Sequence, residues 1–228
     1  MKTLLKITII SIVVISIYFI YNLRNNNQID YLNLGDSYAK GLNSYNEKIY
    51  GYSDYFKDYL KNTNNLNSYN MYYTSENETI DSLINKIKTT NELKHSIRES
   101  DIITLSIGLN DLIYTLSKMP NPTTYQIDNL VYEHYQNLEN LIKEISNYTT
   151  NKIYIIGYNN KIFSTDLFYA VNKLNNYYSK NKNIIFIKSP KKLENIKKYY
   201  PNPKNFHPTE EGYNLIYKEI LKKYLKYH

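Results

Sequence analysis

Apolar residues along the chain follow two periodicities. Runs of strand length recur at wide intervals, over Ile29–Leu34, Ser68–Tyr73, Ile102–Ile107, Lys152–Tyr158 and Asn183–Lys188. The third, IITLSI, and the fourth, IYIIGY, are nearly continuous in apolar residues. That pattern suits strands buried on both faces of a parallel sheet. Between the runs, apolar residues recur at i, i+3, i+4 and i+7, the spacing of a helix with one buried face. The stripes are Tyr52–Leu60, Ile80–Ile87, Ile127–Ile145, Leu167–Tyr178 and Tyr213–Leu225. Strand-then-helix alternation predicts an α/β domain of right-handed βαβ units, a parallel sheet with helices on both faces. In such sheets a ligand site lies at the carboxyl ends of the strands, so the informative residues are those that follow the strands.

The first 27 residues break this pattern. Lys2 and Lys6 precede an apolar run from Ile7 to Ile20 that continues to Leu23. Residues 7–23 are near the lower limit for spanning a hydrocarbon core of roughly 30 Å as a helix. Tyr18, Phe19, Ile20, Tyr21 and Leu23 stand where a cleavage site would need small residues. Tyr18 and Tyr21 suit an interfacial aromatic belt. The segment reads as an uncleaved signal anchor, a transmembrane helix with the N-terminus inside and the bulk outside. A signal peptide cut at an atypical site is the alternative. The expected division is 1–27, anchor and short polar linker, and 28–228, one extracytoplasmic domain at the cell membrane.

Composition narrows the chemistry. The 228 residues contain no Cys, which excludes a disulfide scaffold, a thiolate metal site and a Cys nucleophile. The formal charge is +7, which raises a nucleic-acid binder as a reading to test. Residues 1–27 hold Lys2, Lys6 and Arg24 and no acidic residue, leaving 25 basic against 21 acidic residues, or +4, for the remainder. In that remainder Lys is scattered among Asp and Glu, as on a solvated face, so no nucleic-acid partner is expected. Many of the 28 Tyr fall on the helical stripes, where they read as core and boundary residues.

Three segments after strands, or opening a helix, carry candidate chemistry. Gly35-Asp36-Ser37 follows the first strand. A Ser at a tight strand-to-helix turn is exposed, and its own N–H, near a helix start, favours negative charge. Gly108-Leu109-Asn110-Asp111 follows the third strand, and an Asn amide donates two uncharged hydrogen bonds. Each segment also reads as an ordinary turn. Asn205-Phe206-His207-Pro208-Thr209-Glu210-Glu211-Gly212-Tyr213 opens the last helix, with Pro208 suiting the first helical position and His207 just outside it. Of the four His, only His207 stands at an element boundary beside other candidates; His95, His134 and His228 read as surface or packing residues.

GDS near the start, GxND in mid-chain and HPxxxGY near the end, in this order on an α/β pattern, resemble the GDSL or SGNH hydrolase family over roughly residues 29–225. The resemblance implies a three-layer α/β/α, flavodoxin-like fold of five parallel strands and ester hydrolysis through an acyl-enzyme. It implies Ser37 as nucleophile and His207 as general base. Asn110 and the amides of Ser37 and Asn77 would form an oxyanion hole, with no metal or organic cofactor. Substrates would be acyl esters, on envelope glycans or lipids. Two positions depart from the family pattern. Asn77 stands where Gly is expected; Asn tolerates the left-handed region better than other non-Gly residues, so its amide could still point inward. Lys204 stands where an Asp would orient His207, and a cation cannot accept the imidazole N–H. A backbone carbonyl, Asn202, Asn205 or a carboxylate from elsewhere would have to orient the ring. Otherwise the domain is a weakened or silent relative that binds cell-surface glycan or lipid.

Overall fold

The structure is a computed structural model that describes residues 28–162, 164–202 and 205–227, together with Ile12, Ile15 and Ser16. Five strands form one parallel sheet: β1 (Ile29–Gly35), β2 (Leu66–Asn70), β3 (Ile102–Ser106), β4 (Ile153–Ile156) and β5 (Ile184–Ile187). Their order is β2-β1-β3-β4-β5, which makes this a doubly wound sheet with its switch point between β1 and β3. Register brings Gly35 beside Ser106, so both strands end at the same level. β3 and β4 are buried along their whole length, as their continuous apolar runs predict.

The five expected stripes form α2 (Tyr52–Asn62), α3 (Ile80–Thr89), α6 (Thr124–Ser146), α7 (Thr165–Lys180) and α9 (Glu210–Tyr227). Four further α-helices lie among the described residues: α1 (Ser37–Lys40), α4 (Asn91–Glu99), α5 (Leu109–Leu116) and α8 (Ile196–Tyr199). α2 packs on α9, while α3, α6 and α7 pack in succession. The result is the three-layer α/β fold. Tyr31, Tyr38, Tyr52, Tyr154, Tyr158, Tyr178 and Tyr213 are fully buried in its core, so these tyrosines are packing residues, as expected.

Several boundaries differ from the sequence reading, and two have a visible cause. β2 was expected to run to Tyr73 but ends at Asn70. The Asn70 side chain accepts the Tyr72 N–H at 2.9 Å, an Asx turn that closes the strand. α9 begins at Glu210, so Pro208 lies before the helix and not at its first position. Thr209 Oγ1 accepts the Gly212 N–H at 3.3 Å there. Among the described residues no helix is long and apolar enough to cross a membrane. Apart from Ile12, Ile15 and Ser16, the expected anchor over residues 1–27 lies outside the described residues.

Candidate active site

The turn after β1 is shaped by close backbone packing. Gly35 has φ +115°, and a Cβ there would lie 1.9 Å from the Ser106 carbonyl oxygen. Only Gly fits a position that combines this dihedral with this contact. Asp36 N–H then donates to Ser106 O at 2.8 Å, tying the turn to β3. The Asp36 carboxylate caps α1 by accepting the Tyr38 N–H at 3.0 Å. Ser37 is the first residue of α1, where an N–H has no intrahelical acceptor and the helix end is positive.

A buried polar network lies under this turn. Asp36 also accepts from Ser106 Oγ at 2.7 Å and from the Tyr158 hydroxyl. Burial pushes the Asp36 carboxyl up to about 6 against these hydrogen bonds. Asn33, fully buried on β1, donates to Ala39 O at 2.7 Å and accepts from Tyr52 and Thr104. It holds the far end of α1 as Asp36 holds the near end. Sequence reading missed Asn33, Ser106 and Tyr158. A lone Asn inside an apolar strand, as in YLNLG, is the signal that could have flagged the first.

His207 meets Ser37 from the other end of the chain. Its Nε2 lies 2.7 Å from Ser37 Oγ. An imidazole so placed can accept the hydroxyl proton, provided its own proton sits on Nδ1. The loop that carries it is held at several points. Tyr38 OH donates to Phe206 O at 2.7 Å. Asn205 Oδ1 accepts the His207 backbone N–H at 3.0 Å, and Asn205 Nδ2 donates to Asn46 at 2.9 Å. Asn202 Nδ2 donates to Ser44 O at 2.9 Å. Asn205 therefore braces the backbone of His207 and not its ring, contrary to one expectation above.

Nδ1 of His207 is buried and makes no hydrogen bond among the described residues. Burial lowers the pKa of the ring; the backbone carbonyl of Asn43 and the charge of Glu76 oppose that shift. The Asn43 carbonyl thus acts on the ring without meeting hydrogen-bond geometry at Nδ1. Lys204 lies outside the described residues.

The remaining expected residues line the same cleft, of about 230 Å³, with Ser37, Tyr38, Leu42, Leu109, Ile113, Phe206 and His207. Asn77 is there beside Glu76, but it is not in the left-handed region; among the described residues the positive-φ non-Gly positions are Asn46, Asn64 and Asn121. The left-handed conformation allowed for at Asn77 is therefore not the one the structure has. Asn110 stands in the first turn of α5, not in a free turn. Its Nδ2 donates to Glu78 O at 3.0 Å and to Glu76 O at 3.2 Å, so both N–H groups already have acceptors. Among the described residues no group of three or more His, Cys, Asp or Glu side chains could hold a metal ion.

The doubly wound sheet thus holds the Ser37–His207 pair in a cleft at the carboxyl ends of its strands. The GDSL-like lipase/acylhydrolase family model matches residues 31–220, and the chain belongs to that family. The lipase Lip_vut3 from a goat rumen metagenome is similar in structure, with TM-score 0.71 and 15% identity over 86% of this chain and 97% of that one. A member of the lipolytic G-D-S-L family from Veillonella parvula gives 0.62 and 19%, over 86% and 98%. A family 3 carbohydrate esterase from Clostridium thermocellum gives 0.60 and 17%, over 86% and 94%. No curated protein matches the sequence.

Proposed function

We propose that the protein is a membrane-anchored extracytoplasmic serine esterase that hydrolyses short acyl esters of polar alcohols, such as O-acyl groups on envelope glycans. The observation that carries this reading is the 2.7 Å contact between Ser37 Oγ and His207 Nε2 inside a cleft. His207 Nε2 takes the Ser37 proton as Oγ attacks the acyl carbonyl. The Ser37 amide, with the amide of Asn77 and the side chain of Asn110, receives the oxyanion. His207 returns the proton to the departing alcohol. Water, deprotonated by the same nitrogen, then attacks the acyl-enzyme and releases the acid. The Asn43 carbonyl orients the ring, in place of a carboxylate.

The size and lining of the cleft support a short acyl group. At about 230 Å³ it is smaller than the roughly 300–1,000 Å³ of pockets that enclose a drug-sized ligand. Asn46, Glu76, Asn77, Asn110 and Asn205 make much of its wall polar, which suits a hydroxylated alcohol better than a lipid tail. Support for the anchor is the apolar run after Lys2 and Lys6, in which Ile12 and Ile15 are 58% and 65% exposed.

The test is turnover of p-nitrophenyl esters by the full chain in detergent. Acetate and butyrate should be cleaved and octanoate much more slowly, and Ser37→Ala should abolish all three. Equal traces from wild type and Ser37→Ala would refute the esterase. The unpartnered Nδ1 of His207 favours a second reading, a silent domain that binds cell-surface glycan. Glycan retention without ester cleavage would establish it.

A further inference from the structure

We propose that Asp111 is a positioning residue for one wall of the cleft, the segment from Glu76 to Ile80, and that with Asn110 it fixes where the Asn77 amide stands. The proposal rests on reading the cleft as an ester-hydrolysing site. The segment leads from the turn after β2 into α3 and contributes Glu76 and Asn77 to the cleft. Asn110 grips it on either side of Asn77, donating to Glu76 O at 3.2 Å and Glu78 O at 3.0 Å. Asp111, the next residue, accepts the Ile80 N–H with Oδ1 at 3.1 Å and Oδ2 at 3.4 Å. Two adjacent side chains in the first turn of α5 thus meet backbone groups at positions 76, 78 and 80.

The two side chains of this bracket are complementary to the segment's backbone. Asn110 presents donors to two carbonyls, and Asp111 presents an acceptor to an amide. Ile80 is the first residue of α3, so its N–H lacks an intrahelical acceptor and the helix end favours an anion. Thr79 does not compete, because its hydroxyl accepts from Ser82 N–H at 3.2 Å. A second anchor is the buried Glu78 side chain, which pairs with Lys86 on α3. Burial, with the nearby charges of Asp81 and Glu78, pushes the Asp111 carboxyl up to about 6, while the amides of Ile80 and of Asp111 itself oppose the shift.

The experiment compares the full chain with D111A and D111N. Asn at 111 keeps an acceptor oxygen and loses the charge; Ala loses both. Hydrogen exchange over residues 76–80 should speed up roughly tenfold or more in D111A and little in D111N. For p-nitrophenyl acetate, kcat should fall roughly 10- to 100-fold in D111A with KM within about threefold, and D111N should recover most of it. Unchanged exchange in D111A overturns the proposal, as does faster exchange with unchanged kcat. Should D111A not fold, the wild type decides. Its Ile80 amide proton should titrate with a midpoint of about 6 that D111N abolishes, and a flat Ile80 resonance overturns the proposal. A wild type without turnover refutes the esterase reading instead, while exchange and titration still judge the bracket.

Discussion

Replacing Asn110 by Ala separates two roles that the structure places on one amide. In the cleft Asn110 Nδ2 is committed to Glu78 O at 3.0 Å and Glu76 O at 3.2 Å. Each such bond contributes about 1 kcal/mol net, so Asn110→Ala should cost about 2 kcal/mol of stability. For a domain of about 200 residues that lowers Tm by about 4–8 °C. Its effect on turnover should be larger. If the amide exchanges the longer bond, to Glu76, for the oxyanion in the transition state, its loss removes roughly 10²–10³ from kcat, or about 2.7–4 kcal/mol. KM should stay within about threefold, because the donor acts on charge that develops only during attack. The assay is initial-rate hydrolysis of p-nitrophenyl acetate beside thermal unfolding followed by circular dichroism. Asn110→Asp, which keeps the shape but points a carboxylate at two carbonyls, should be at least as damaged in both. A lower Tm with kcat reduced less than about fivefold would show that Asn110 only braces the loop. The oxyanion role would then be wrong.

Three further outcomes follow from the same geometry. Burial lowers the His207 pKa, so the acid limb of kcat/KM should have its midpoint below the usual 6.5. Removing the Glu76 charge with Glu76→Gln should move the midpoint lower still, and one above 6.5 contradicts the assigned environment. Asp36 is raised to about 6 from 3.8, so between those values the folded state binds the extra proton. Stability should therefore fall as pH rises from about 4 to 6 and stay lower above it. Asp36→Asn should flatten that part of the Tm-against-pH curve, and an unchanged curve would place the titration elsewhere. Gly35→Ala should prevent folding, since a Cβ would sit 1.9 Å from Ser106 O at φ +115°; a urea midpoint within about 0.3 M of wild type would refute that packing.

Periodicity made the layers legible, because buried strands and amphipathic helices write their burial directly into the sequence. β3 and β4 show this on the strand side and α6 on the helix side. Short helices were not legible. α4 carries only two fully buried apolar residues, Leu93 and Ile97, too few to set a period. α5 starts straight after β3, so its first turn read as a loop containing Asn110 and Asp111. β2 is an edge strand closed by a side-chain turn at Asn70, and apolar runs do not encode such a stop. Ser37, Asn77, Asn110 and His207 do share one cleft. The supports of that cleft could not be read, because they are contacts distant in sequence. Tyr38 to Phe206 and Asp36 to Tyr158 join residues far apart in the chain. The influence of the Asn43 carbonyl on the His207 ring was invisible for another reason, since it belongs to the backbone and leaves no residue signature.

The central claim is that Ser37, activated by His207, attacks an acyl carbonyl. Labelling the full chain with a fluorophosphonate and mapping the modified peptide by mass spectrometry tests it most directly. The account predicts a single stoichiometric adduct on Ser37, absent in Ser37→Ala and slowed at least about a hundredfold in His207→Ala. No adduct, an adduct on another residue, or labelling indifferent to His207 would contradict it.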